Sequence, residues 1–234
     1  MNIKGVSQLN YEIFMDWGSQ PSRAVMTVVY LLKIPHKINE VRILKKQNIS
    51  EQYKKINPDQ KIPCIIDNEN FFLNESHSIM RYFCQLYGDK QLYPADNLKK
   101  RALIDSYLDW HHTNTRKMHR MLFKKLFEPQ LGINSSVSIE ELESDVQKAL
   151  NFIETNYLNH KNKFFFGFDN YTLADISAYC ELYQSKVVNY NFQPYPNIQT
   201  WMSQMQKINE IQQTHKVYDE LLNKRIQKQQ QSKL

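Results

Sequence analysis

Two hydrophobic periodicities divide the chain. Over residues 11–14, Tyr-Glu-Ile-Phe, apolar and polar positions alternate as in a half-buried strand. A polar turn follows at 16–20, then Pro21 at a position suited to a helix start and an apolar run over 24–32. Pro35 stops that helix, and alternation returns over 36–43 as a second strand. Two strands joined by a helix are parallel under the crossover rule. Residues 50–56 read as a short helix closed by Asn57 and Pro58, because a proline pushes its predecessor out of helical backbone angles. The runs 62–66 and 71–73 flank Asp67, Asn68, Glu69 and Asn70, a hairpin with turn-forming residues. Ser76 then caps a helix running to about Tyr87.

The second half has helical periodicity only. Helices are predicted from Leu98 to about Phe127, ending before Pro129, and from Ile139 to about Leu158. A third starts at Thr172, where the hydroxyl can cap the helix and Asp175 can reach back, a capping box. Two more follow from Asn197 and near Glu210, and residues 227–234 are polar and of low complexity. The expected architecture is an α/β thioredoxin-like domain of order βαβαββα over 1–88, a linker containing Pro94 over 89–97, and an all-α helical domain over 98–234.

Composition excludes several classes. With 41% hydrophobic and 23% charged residues, the 234-residue chain has the make-up of a globular protein. No apolar run approaches the ~18 residues a membrane span needs. The first ten residues carry neither the basic nor the apolar part of a secretory signal, so the expected address is cytoplasmic, with a mitochondrial one left open. Cys64, Cys84 and Cys180 are odd in number and widely spaced, which argues for free thiols rather than a disulfide framework or zinc site. The net charge of +6 raises the question of an acidic partner. Its densest patch, Arg116, Lys117, Arg120, Lys124 and Lys125, is spread over several helix faces and broken by Met121, Leu122 and Phe123. It reads as a solvated flank, and no nucleic-acid partner is expected. His111, His112 and His119 lack the ligand spacing of a metal site, so no metal is expected.

Three local features converge on one ligand chemistry. Ile62 precedes Pro63 at the mouth of the hairpin; a cis bond there would present the Ile62 backbone as an open edge for an extended peptide, while a trans bond would make Pro63 a simple strand start. Glu75 and Ser76 stand at a helix start, which taken alone reads first as ordinary helix capping; its free amides and partial positive charge can also hold a carboxylate, with the Ser76 hydroxyl beside them and Glu75 taking an ammonium. Ser19 lies between first strand and first helix, placed to donate its hydroxyl to an anion. No His–acid partner stands nearby in sequence, so the role of Ser19 is donor rather than attacker.

In this order the features resemble a family pattern. The segment 19–25, Ser-Gln-Pro-Ser-Arg-Ala-Val, resembles the serine motif of theta-class glutathione transferases. Segments 57–63, Asn-Pro-Asp-Gln-Lys-Ile-Pro, and 74–79, Asn-Glu-Ser-His-Ser-Ile, are similar to the family's next two signatures. Residues 105–116 resemble its long helix and 166–175 its folding motif, so the likeness runs from about Tyr11 to about Lys207. The resemblance implies the glutathione transferase fold, with Ser19 stabilising the thiolate of glutathione as co-substrate. It implies that the Ile62 backbone pairs with the cysteinyl unit and that Glu75 and Ser76 hold the γ-glutamyl end. Lys61 would face the glycine carboxylate, and Asn48 would contact it where the family often has histidine. Thr113 and Arg116 correspond to residues lining the cleft, and Asp105 to one that builds the site or the dimer interface.

The function so implied is conjugation of glutathione to small electrophiles by a homodimer, a detoxification chemistry. The alternative is a non-catalytic relative working in a larger protein assembly. Asn48 and the segment after Glu210, which does not align with the theta-class lid, favour that alternative.

Overall fold

The computed structural model describes residues 10–161 and 163–231, with the side chains of 130, 131 and 225–231 excepted. Most of the amino-terminal segment read for a targeting signal, and the end of the polar tail, lie outside the described residues. The chain forms two compact units, one comprising the residues before 91 and those from Asn209 onward, the other Gln91–Ile208.

The first unit is a four-stranded sheet in the order β2-β1-β3-β4. Its strands are β1 (Tyr11–Met15), β2 (His36–Glu40), β3 (Cys64–Asp67) and β4 (Phe72–Asn74). Helices α1 (Gln20–Leu31), α2 (Glu51–Ile56) and α3 (Ser76–Leu86) complete the predicted order. β1 and β2 are parallel, as the crossover rule requires, and β3 runs antiparallel to β1 and β4. Alternation sorts the side chains. Tyr11, Ile13 and Met15 are fully buried, and Tyr11 meets the α3 ring of Phe83 edge-on at 4.9 Å. Phe14 points the other way, into a cluster with Val41, Tyr53, Ile62 and Cys64. Val25, Met26, Val28 and Val29 of α1 are fully buried, each side chain contributing roughly 1.5–3 kcal/mol by leaving water.

The second strand ends at Glu40, earlier than alternation suggested, because Arg42 and the residues after it enter short 3-10 turns. The last helix, α10 (Asn209–Gln231), packs on α1 within the first unit, whereas the sequence reading grouped it with the other late helices. Thr27 of α1 and Thr214 of α10, both fully buried, join their hydroxyls at 3.0 Å.

The second unit consists of α4 (Leu98–His111), α5 (Lys117–Leu126), α6 (Glu128–Leu131), α7 (Ile139–Phe152), α8 (Leu173–Tyr183) and α9 (Pro196–Met205). The single helix expected over 98–127 is two. Asn114 donates its amide to the Trp110 carbonyl at 3.0 Å, and the Arg116 N–H reaches the His111 carbonyl instead of continuing the ladder. Helix α7 ends in a π turn at Ile153–Tyr157. Every residue of α8 is buried, and its Asp175 is a hub. The carboxylate accepts from the N–H and hydroxyl of Thr172, the N–H of Phe165 and the indole of Trp201, at 2.8–3.0 Å. Burial pushes the Asp175 carboxyl up, and these four donors pull against that. Phe165, between the half-buried Phe164 and Phe166, is fully buried and packs with Tyr107, Tyr157 and Trp201.

Candidate functional site

The register of the sheet gathers the predicted residues of the first unit. Met15 lies opposite Glu40, Phe14 opposite Cys64, and Cys64 opposite Asn74. The end of β1, the end of β2, the start of β3 and the end of β4 therefore share one end of the sheet. Ser19 follows β1 there, Asn48 lies in the segment after β2, Lys61 and Ile62 precede β3, and Glu75 and Ser76 follow β4.

Each position is prepared by local chemistry. Ser19 occupies the N-cap position of α1 in extended conformation, yet its hydroxyl caps no amide of the helix. It is half-buried at the end of a helix that carries unpaired N–H groups and partial positive charge. Asp16 holds the turn that presents it. One carboxylate oxygen accepts from the Gly18 N–H at 2.8 Å, the other from the Ile43 N–H at 3.0 Å, and the Asp16 carbonyl accepts from Ser19 N–H at 3.0 Å. A Cβ at Gly18 would lie 3.3 Å from the Asp16 oxygen, so a side chain there would press on this tie. Arg23, fully buried in α1, donates to the Trp17 carbonyl at 2.8 Å.

The Ile62–Pro63 bond is cis. The two residues before Ile62 are anchored: Asn48 donates to the Gln60 carbonyl at 3.1 Å, while Tyr53 and Asn57 both donate to the Lys61 carbonyl at 2.8 Å. Among the described residues, no protein group bonds the backbone N–H or C=O of Ile62. Asn48 thus spends one donor inside the chain, and its carbonyl oxygen and second N–H stay available.

Glu75, rather than Ser76, is the N-cap of α3, and Ser76 is the first helical residue. No residue separates β4 from this cap, so Glu75 turns the chain with φ 64° and ψ 111°. A non-glycine residue in that region costs on the order of 1–3 kcal/mol and is characteristic of functional positions. Lys61 is exposed and pairs with Asp59 at 3.0 Å; that bond, with a smaller contribution from Glu75, holds its ammonium above the usual range.

The other three predicted residues belong to the second unit. Both oxygens of Asp105 accept from the Tyr93 hydroxyl, at 2.8 and 2.9 Å, pinning the segment before α4 to that helix. Thr113 is exposed in the turn between α4 and α5. Arg116 donates to the buried Glu181 at 3.1 Å, with His111 at 3.5 Å from the same oxygen. Burial raises the Glu181 carboxyl, but Arg116 and His111 outweigh it and leave the group below its ordinary range. The neighbouring basic residues are also paired, Lys117 with Asp145, Lys124 with Glu128 and Lys125 with Glu143.

Asp16 and Arg23 escaped the sequence reading. The pattern Asp16-x-Gly18 is a turn signal that could have revealed the first. Arg23 carries no local signal, since no sequence pattern marks the Trp17 carbonyl it bonds or the Tyr218 ring it faces.

An uncommitted hydroxyl at one helix start, an unpaired backbone edge and a second helix start now stand at one sheet end. They are carried by a thioredoxin-like sheet that is followed by a helical unit. Family models for the glutathione S-transferase N-terminal domain and C-terminal domain match residues 16–91 and 78–209. The chain belongs to the glutathione S-transferase family. It is 35% identical to glutathione S-transferase T1 of Arabidopsis thaliana, over 77% of this chain and 75% of that one. It is 31% identical to theta-2 of Rattus norvegicus, over 85% and 81%. Against two longer Arabidopsis relatives, T2 and T3, each 32% identical, the match spans only 35% of their length. The solved structure of human glutathione transferase theta-2, in complex with glutathione and an unknown ligand, superposes with a TM-score of 0.83 at 28% identity, covering 93% of this chain and 91% of that one.

Proposed function

We propose that the protein is a glutathione transferase, adding the glutathione thiolate to an electrophilic carbon of a small molecule. The observation that carries this reading is the Ser19 hydroxyl, free at the positive end of α1 and on the same sheet end as Ile62, Glu75 and Ser76. The Ile62 N–H and C=O bind the cysteinyl unit as a short added strand. Glu75 takes the ammonium of the γ-glutamyl group, and the first-turn amides of α3 with the Ser76 hydroxyl take its carboxylate. Lys61 and the remaining groups of Asn48 meet the glycine carboxylate. Ser19 then donates to the sulfur. A free thiol of pKa ~8.5 is only about 3% ionised at pH 7, and a stabilisation of roughly 2.7 kcal/mol makes thiolate the majority form. The remaining acceleration comes from proximity to the electrophile.

Asp105, Thr113 and Arg116 are assigned to the same function through their resemblance to theta-class positions. A cytoplasmic homodimer engaged in detoxification completes the reading; the family supports it, and three buried cysteines outside any disulfide fit a reducing compartment. Retention on immobilised glutathione, followed by turnover assays over several electrophiles, tests it. Retention with turnover is expected. Retention without turnover would favour a non-catalytic subunit of a larger assembly, and failure of both would remove glutathione from the account.

A further inference from the structure

The Ser19 turn is held from below by a residue that touches the last helix. Arg23 lies one turn into α1 with none of its surface exposed. Its guanidinium donates to the Trp17 carbonyl at 2.8 Å, two residues before Ser19. The same guanidinium carbon sits 4.2 Å from the centroid of the Tyr218 ring of α10. Burying an arginine is costly unless its charge is met, and an aromatic face meets it by cation–π attraction. One helical turn further along, Thr27 and Thr214 join α1 to α10 a second time, so Tyr218 is placed by a bonded helix pair.

We infer that Tyr218 and Arg23 are positioning residues for Ser19: the ring fixes the guanidinium, the guanidinium fixes the Trp17 carbonyl, and that carbonyl fixes the turn from which the serine hydroxyl projects. This rests on the transferase reading above and adds to it a role for the carboxy-terminal helix, which the sequence left unassigned. Arg23 has no exposed surface with which to meet a ligand, and Tyr218 is assigned its role through Arg23. Each acts through Ser19, whose donation depends on where its turn stands. Of the other holds on the turn, the Ser22 hydroxyl is a long contact to the Asp16 N–H at 3.5 Å, and the Asp16 carboxylate grips from the side of Ile43. Arg23 is the hold that leads to another helix.

The test uses the full chain in four forms: unaltered, Tyr218→Leu, Tyr218→Phe, and Tyr218→Leu combined with Ser19→Ala. Thiolate absorbance of bound glutathione is titrated against pH in each, and melting curves are recorded alongside. Tyr218→Leu removes the aromatic face and should raise the thiol midpoint by about one unit, a loss of about tenfold in thiolate below the midpoint. It should lower kcat with little change in the KM for glutathione. Tyr218→Phe keeps the ring and should restore the unaltered midpoint. In the Ser19→Ala background, Tyr218→Leu should move the midpoint no further, because the donor it positions is gone. A Tyr218→Leu protein that melts lower but keeps its thiol midpoint would overturn the inference, as would a shift that adds fully to that of Ser19→Ala. An unaltered protein with no depressed midpoint would instead overturn the transferase reading itself.

Discussion

Ser19 and Ser22 lie one turn apart in different surroundings. The Ser19 hydroxyl is uncommitted at the helix start, whereas Ser22 is fully buried and its hydroxyl receives only a long contact from Asp16. Ser19→Ala should lower kcat by about a hundredfold, the scale for losing one donor to a reacting anion, with the KM for glutathione changed by less than about threefold. Ser22→Ala should leave both within about twofold, since it deletes a weak bond and no packing surface of consequence. Steady-state kinetics at fixed pH decide between them, and an essential Ser22 with a dispensable Ser19 would place the donor one turn deeper. At this scale a candidate residue was legible in the sequence wherever it announced itself by local position. Ser19, Ile62, Glu75 and Ser76 each stand next to a strand end or a helix start, which singled them out, and the family resemblance then joined them to one ligand. Asp16 shows only a local turn signal, and its tie to the Ile43 amide, like the contacts of Arg23 with a carbonyl and a ring, is not brought near by the linear sequence. Asn48 was marked by resemblance alone, and its bond to Gln60 is a scaffold contact that resemblance did not foresee.

Helix boundaries show the same division. The start of α8 was readable because a threonine and an aspartate three residues later advertise a capping box, and the structure builds it. The break between α4 and α5 was hidden, for no proline or glycine marks residues 112–116 and the interruption comes from Asn114 capturing a carbonyl. The cap of α3 moved by one residue because Glu75 accepts a positive φ that sequence rules reserve for glycine or asparagine. Asp175 exceeds its role as a cap, joining Thr172 to the loop at Phe165 and to α9 through Trp201. Asp175→Ala strands buried donors in all three places, a loss of roughly 3–5 kcal/mol. Melting temperature should fall by on the order of 10 °C, while calorimetry below the melt should find glutathione affinity intact. A mutant that melts normally but no longer binds glutathione would move Asp175 from scaffold to site.

On the scale of the whole chain, the order βαβαββα followed by helices alone was legible from period and turn residues. The long-range pairing of the last helix was not. Hydrophobic spacing identifies α10 as a helix, but nothing in it says that Thr214 meets Thr27 or that Tyr218 meets Arg23. That pairing groups the carboxy-terminal helix with the thioredoxin-like sheet, the unit that carries Ser19. In the proposed function one hydroxyl and one helix start convert a neutral thiol into its reactive anion. The decisive measurement is the thiolate absorbance of glutathione bound to the purified 234-residue chain, titrated against pH. A midpoint about two units below the ~8.5 of a free cysteine-type thiol is expected. A bound thiol that titrates at the value of free glutathione would contradict it.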